Sequence, residues 1–206
     1  MSEHRNYYKV GPDLDDRNGI LDKVIDEKGE EFPDMWRRPV SRSATARWSD
    51  ARTKHGHCLR SWSTGHLIIT KACFQKVSDL VLHPGAVIVP TTIMHKGRPQ
   101  VECMTYYFPD KMYEIVNLRK SKAEWYDDGW PMRFIGEPVV DTREIHSLDV
   151  VMECSLGYVV SQTFKDIVEE NRLNGFLFEP LIYQPREEGD PIGFDPARVK
   201  KRKRKS

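Results

Sequence analysis

The chain has 206 residues, 39 % of them hydrophobic, 31 % charged and 10 % aromatic, which favours one domain burying a modest core without disulfides or metal and argues against wholesale disorder. No stretch approaches the roughly 20 apolar residues needed to span a bilayer. The net charge of +1 hides an asymmetry: Lys200, Lys201, Arg202, Lys203, Arg204 and Lys205 supply six positive charges, so the rest of the chain carries −5.

From the N-terminus, Asn6 to Val10 reads as a short strand broken by Gly11-Pro12-Asp13, and Asp26-Glu27-Lys28-Gly29 as a turn between extended pieces. Arg37 to Arg60 is rich in Arg, Ser and Thr without a clear period, and reads as loop with one short helix at most. Val101–Phe108 and Met112–Leu118 read as strands joined by a hairpin loop at Pro109-Asp110-Lys111. Ser121–Pro131 reads as an acidic, aromatic loop, and Val139-Val140 and Val150–Met152 as two more short strands. From Pro185 onward Gly and Pro punctuate a segment with no core pattern. The expected domain is therefore 1–185, followed by a disordered basic tail at 186–206.

A weak duplication organises the chain. Leu67–Thr70, Lys71–Val81, His83-Pro84-Gly85 and Ala86–Pro90 match Tyr158–Ser161, Gln162–Arg172, Asn174-Gly175 and Phe176–Pro180. Each reads as strand, N-cap, helix, Gly turn, strand, Pro. Thr70 and Ser161 are suited to cap the first helical turn. Cys73, Val77, Leu80 and Val81, and Phe164, Ile167 and Val168, recur at helical spacing and give each helix one apolar stripe. A Gly takes the positive φ that turns the chain, and Pro90 or Pro180 ends the returning strand. Two such units flanking antiparallel strands predict an α+β fold, with helices on a mixed, mainly antiparallel sheet.

Gly157 to Leu181 reads GYVVSQTFKDIVEENRLNGFLFEPL. With MYEIVNL at Met112–Leu118 and LIITKACFQKV at Leu67–Val77, it resembles the eleventh immunity-protein family of bacterial polymorphic-toxin systems. That family shows a strand, a Ser-led helix, a Gly turn and an apolar strand ending near Pro. The resemblance spans roughly residues 65–183. The chain departs from the pattern at Leu118-Arg119-Lys120-Ser121-Lys122, where many members are Asp-rich, and in Trp125–Trp130 and the basic tail. The resemblance implies a cytoplasmic antidote that binds and neutralises a cognate toxin domain by direct contact, with no catalytic residue and no cofactor.

The residues themselves support other chemistries less well. His55-Gly56-His57-Cys58, with His66 nearby, offers metal ligands, but zinc sites draw on two separated pairs. Cys58, Cys73, Cys103 and Cys154 coexist with seven histidines, yet Cys73 lies on an apolar helical stripe and Cys103 and Cys154 lie in or beside strands, as core thiols do. The cysteines show neither a C-x-x-C pair nor scaffold spacing, and MSEHRNYYKV lacks an apolar signal region, so a reducing cytoplasm is the expected setting. No phosphate-binding glycine motif is present. Asp127-Asp128, and Asp13 with Asp15 and Asp16, miss the calcium-loop pattern. Nucleic-acid binding through Lys200–Lys205 is the second expectation, against which stand the absence of interleaved aromatics and the acidic remainder. A small metal-dependent or Cys/His enzyme is the third.

Interface centres favour Trp and Tyr beside charge. Glu124, Trp125, Tyr126, Asp127, Asp128 and Trp130 are therefore the candidate partner-binding residues, the competing role for Trp125 and Trp130 being to fold back over the sheet.

Overall fold

The computed structural model describes residues 5–13, 21–31, 42–48, 55–59, 66–82, 86–107, 111–127 and 131–190. In chain order these form β1 (Tyr7–Pro12), β2 (Leu21–Asp26), β3 (Ala44–Trp48), β4 (Cys58–Leu59), β5 (Leu67–Thr70), α1 (Lys71–Val81), β6 (Val87–His95) and β7 (Arg98–Tyr107). They continue with β8 (Ala123–Trp125), β9 (Pro131–Phe134), β10 (Val139–Val140), β11 (Val150–Glu153), β12 (Gly157–Ser161), α2 (Gln162–Glu170), β13 (Phe176–Pro180) and β14 (Ile182–Tyr183). The class is α+β, mainly sheet, with mostly antiparallel pairing.

Two sheets carry the two strand–helix–strand units. One has the order β2-β3-β6-β7-β5-β4, the other β11-β12-β1-β13. In each, the strand entering the helix and the strand leaving it flank one central strand antiparallel to both: β5-β7-β6 in the first, β12-β1-β13 in the second. A further antiparallel strand, β4 or β11, lies beyond the entering strand. The duplication read from the sequence is thus a duplication of topology. Its central strand has two origins: β7 follows β6 through a turn at Lys96-Gly97, whereas β1 comes from the start of the chain.

The helix starts repeat atom for atom. Thr70 Oγ1 accepts the Cys73 N–H at 3.3 Å, and Ser161 Oγ accepts the Phe164 N–H at 3.3 Å. These hydroxyls satisfy amides that the first turn leaves without carbonyl partners. Each capping residue is held by a neighbour: Thr70 N–H donates to the His57 carbonyl and Ser161 N–H to the Asp149 carbonyl, both at 2.9 Å. The same neighbours hold the cap hydroxyls, His57 Nδ1 at 2.6 Å and Asp149 Oδ1 at 2.5 Å.

The apolar stripes of α1 and α2 meet in one core. Cys73, Val77 and Val81 from α1 join Phe164 and Val168 from α2, with Val10, Tyr106, Met152 and Val160 from the sheets. Full burial of each such side chain is worth about 1.5–3 kcal/mol. The opposite face of the β11-β12-β1-β13 sheet is also covered. Alternation along β1 sends Val10 toward the helices and Tyr7 into a second core with Ile115, Val116, Val140, Ile145 and Val159. Here the Tyr7 hydroxyl donates to the Ile145 carbonyl at 2.6 Å.

Several local expectations are corrected. β1 runs on through Gly11 and Pro12, because β13 pairs with it as far as Pro12↔Phe176. Ala44–Trp48 and Cys58–Leu59 are strands within the stretch expected as loop, stabilised by pairing with β6 and β5. β6 continues past Pro90 to His95; β3 joins it only from Thr91, so at Pro90 it is still an edge, where proline is tolerated. Met112–Leu118 forms no hairpin with β7. It makes only single bridges, Tyr113↔Glu153 and Val116↔Val140, because β5 and β6 already occupy both edges of β7. Ser121–Pro131 contributes to a two-stranded ribbon of β8 and β9.

At the other end of the domain, Gln184 to Asp190 is fastened to the body. The Gln184 N–H donates to the Val140 carbonyl, the Arg186 N–H to Asp141, and Asn117 Nδ2 to the buried Asp190 carboxylate at 2.9 Å. The remainder of the basic tail, 191–206, lies outside the described residues.

Candidate functional site

The β8–β9 ribbon carries the sequence-predicted residues that the structure describes. Glu124 and Trp125 lie in β8, and Tyr126 and Asp127 follow it; Asp128 and Trp130 lie outside the described residues. Trp125 is half-buried and packs with Phe134 against the second core, so it anchors the ribbon to the body. Glu124 is engaged across the ribbon. Arg133 grips it through two hydrogen bonds of 2.7 Å, Nε to Oε2 and Nη2 to Oε1. These bonds hold the Glu124 carboxyl below its ordinary range. Asp127 is exposed. Tyr126 is 52 % exposed and, among the described members of the predicted set, is the one that offers a large aromatic surface to solvent.

Two residues outside the predicted set join it. Met132 is 49 % and Ile135 55 % exposed. Half of the large hydrophobic side chains exposed among the described residues therefore sit on one short ribbon. Strand periodicity could not have found them, since it puts Met132 on the same face as Phe134, yet Phe134 packs inward while Met132 is exposed.

Beneath the ribbon runs a groove of about 520 Å³. Met132, Phe134, Pro138, Leu156 and Pro180 supply its apolar lining. Lys9 and Glu179 face each other across the β1–β13 ladder at its margin and are ion-paired at 2.6 Å. Glu137 also lines the groove and makes no ion pair among the described residues. Ser155 also lines the groove, though its hydroxyl oxygen is closed to solvent and has no hydrogen-bond partner.

The other candidate residues are drawn apart. Among the described residues no three His, Cys, Asp or Glu side chains come together as a metal would require. His55 stacks on Trp48, His57 binds the Thr70 hydroxyl, Cys58 lies in the helix-side core, and His66 is buried elsewhere. Burial pushes the Cys58 thiol far above its ordinary range, Cys73 and Cys103 up to about 12, and Cys154 up to about 11. With burial holding them protonated at neutral pH, these groups have the character of core thiols. Lys200–Lys205 lies outside the described residues, as do Asp15 and Asp16. No helix among the described residues is long and apolar enough to cross a membrane.

No protein-family model matches the chain, and no curated protein matches it.

Proposed function

We propose that this chain acts by binding another protein, as an immunity protein that neutralises a cognate toxin domain through direct contact, with the β8–β9 ribbon as the contacting surface. The observation that carries this reading is the clustering of Tyr126, Met132 and Ile135, all exposed, on a ribbon whose base is anchored by Trp125 and Phe134. Large apolar and aromatic side chains exposed side by side are what an interface centre uses, because docking removes their surface from water. The Glu124–Arg133 pair supplies a polar margin. The strand–helix–strand signature that suggested the immunity resemblance is realised as β12-α2-β13, which leaves the ribbon as a separate two-stranded element.

The test is a pull-down of the tagged protein against the product of the adjacent open reading frame, with rescue of growth when the two are co-expressed. The expected result is a stable complex that restores growth. The combined Tyr126→Ala and Ile135→Ala variant should bind at least tenfold more weakly at unchanged melting temperature, since both side chains are exposed in the free protein. Absence of both complex and rescue would refute the pairing with that partner. Undiminished affinity of the double variant would move the interface off the ribbon.

A further inference from the structure

We infer that the groove under the β8–β9 ribbon is built to seat a basic side chain, an arginine or lysine, presented by the bound protein. The inference rests on the binding role proposed above and names the chemistry its partner brings to that surface. Charge is the first argument. Two cations border the groove, and each already has a carboxylate: Lys9 is paired with Glu179 and Arg133 with Glu124. Glu137 is exposed and makes no ion pair among the described residues, so it is the groove carboxylate open to an incoming cation. From Lys122 to Pro138 four carboxylates stand against two cations, and the chain without its terminal basic run is acidic.

Shape is the second argument. The walls of Met132, Pro138, Leu156 and Pro180 are apolar, as the methylene stem of an arginine or lysine requires. The volume of about 520 Å³ admits such a side chain with part of its backbone. An acidic or purely apolar side chain would leave Glu137 repelled or unpaired.

The experiment has two arms on the full chain. In the first, ¹H–¹⁵N spectra are recorded while the blocked tripeptides Gly-Arg-Gly, Gly-Lys-Gly and Gly-Glu-Gly are titrated to millimolar concentration. The basic peptides should shift the amides of Glu137, Ser155 and Leu156 saturably, the acidic one should not, and Glu137→Gln should weaken the effect at least fivefold. Equal shifts with the acidic peptide, or none at these amides, would overturn the inference. In the second arm the affinity of the adjacent-frame product is compared for wild type and Glu137→Lys. A tenfold or greater loss is expected. Wild-type affinity in Glu137→Lys, with the Tyr126→Ala and Ile135→Ala variant still weakened, would remove the groove while leaving the binding role intact. If wild type binds no such product, the binding role fails for that partner, and the peptide arm still decides the groove.

Discussion

Glu153 ends β11 with its side chain removed from solvent. Its Oε2 accepts the N–H groups of Ser155 at 2.5 Å and Leu156 at 2.7 Å, and the amides of Ile115 and Val116 face the same carboxyl. Burial outweighs these donors and raises its pKa from 4.5 to about 7. The folded state therefore holds a proton that the unfolded chain has released between those values. The stabilisation is full below about pH 4.5 and is lost as pH rises through about 7, a change of roughly 3 kcal/mol. Burial works the opposite way on His57, whose pKa falls below 6.5, so its stabilisation is lost as pH falls. Comparison with Glu153→Gln cancels the histidine. In urea unfolding, the stability of wild type relative to the variant should fall by roughly 3 kcal/mol between pH 4.5 and 8. A difference constant with pH would mean that the carboxyl titrates as it does in water.

Where the two repeated units touch, backbone meets backbone. The segment before β4 crosses the turn before β13, and the His57 N–H donates to the Asn174 carbonyl at 2.8 Å. A Cβ on Gly56 would stand 2.5 Å from Gly175 Cα and 2.9 Å from the Asn174 oxygen. Gly175 has φ of +85°, so it is needed for its conformation as well as for space. Both clashing groups are backbone and cannot rotate away. Gly56→Ala should therefore cost about 1–3 kcal/mol, measured as a shift in the urea midpoint at unchanged slope. A cost below a few tenths would show that the crossing is looser than the geometry requires. The caps repeat with one substitution of chemistry. Asp149, which holds the Ser161 hydroxyl, is itself ion-paired with Arg5, while its counterpart His57 is an imidazole whose charge burial suppresses.

The molecule is joined by a core to which neither sheet is sufficient alone. Phe164 is completely buried between Val77 of α1 and the strands of the second sheet, and Phe176 meets its ring edge-on at 6.1 Å. Truncating Phe164 to Ala should cost about 3–5 kcal/mol. Because both units contribute to that core, wild type should unfold in one transition, with near- and far-ultraviolet dichroism coincident. Two separated transitions would show that the units fold independently. The β8–β9 ribbon takes no part in this core and reaches the second one only through Trp125 and Phe134, so its exposed side chains are replaceable without global loss, as a surface kept for a partner requires.

Contacts close along the chain left their mark in the sequence. The two helices, their Thr70 and Ser161 caps, the Gly175 turn and the α+β class were legible there, because each depends on residues within a few positions of one another. The clustering of aromatics and carboxylates at Glu124–Trp130 was legible too, though which of them face outward was not. Only the tertiary structure decided that β1 completes the second unit, since a strand's place in a sheet depends on a partner some 150 residues away, Tyr8↔Val160, and no local pattern encodes it. The same holds for the groove. Lys9, Glu137, Ser155 and Glu179 are scattered over the chain, and which of the charges pair among the described residues is settled only by the fold.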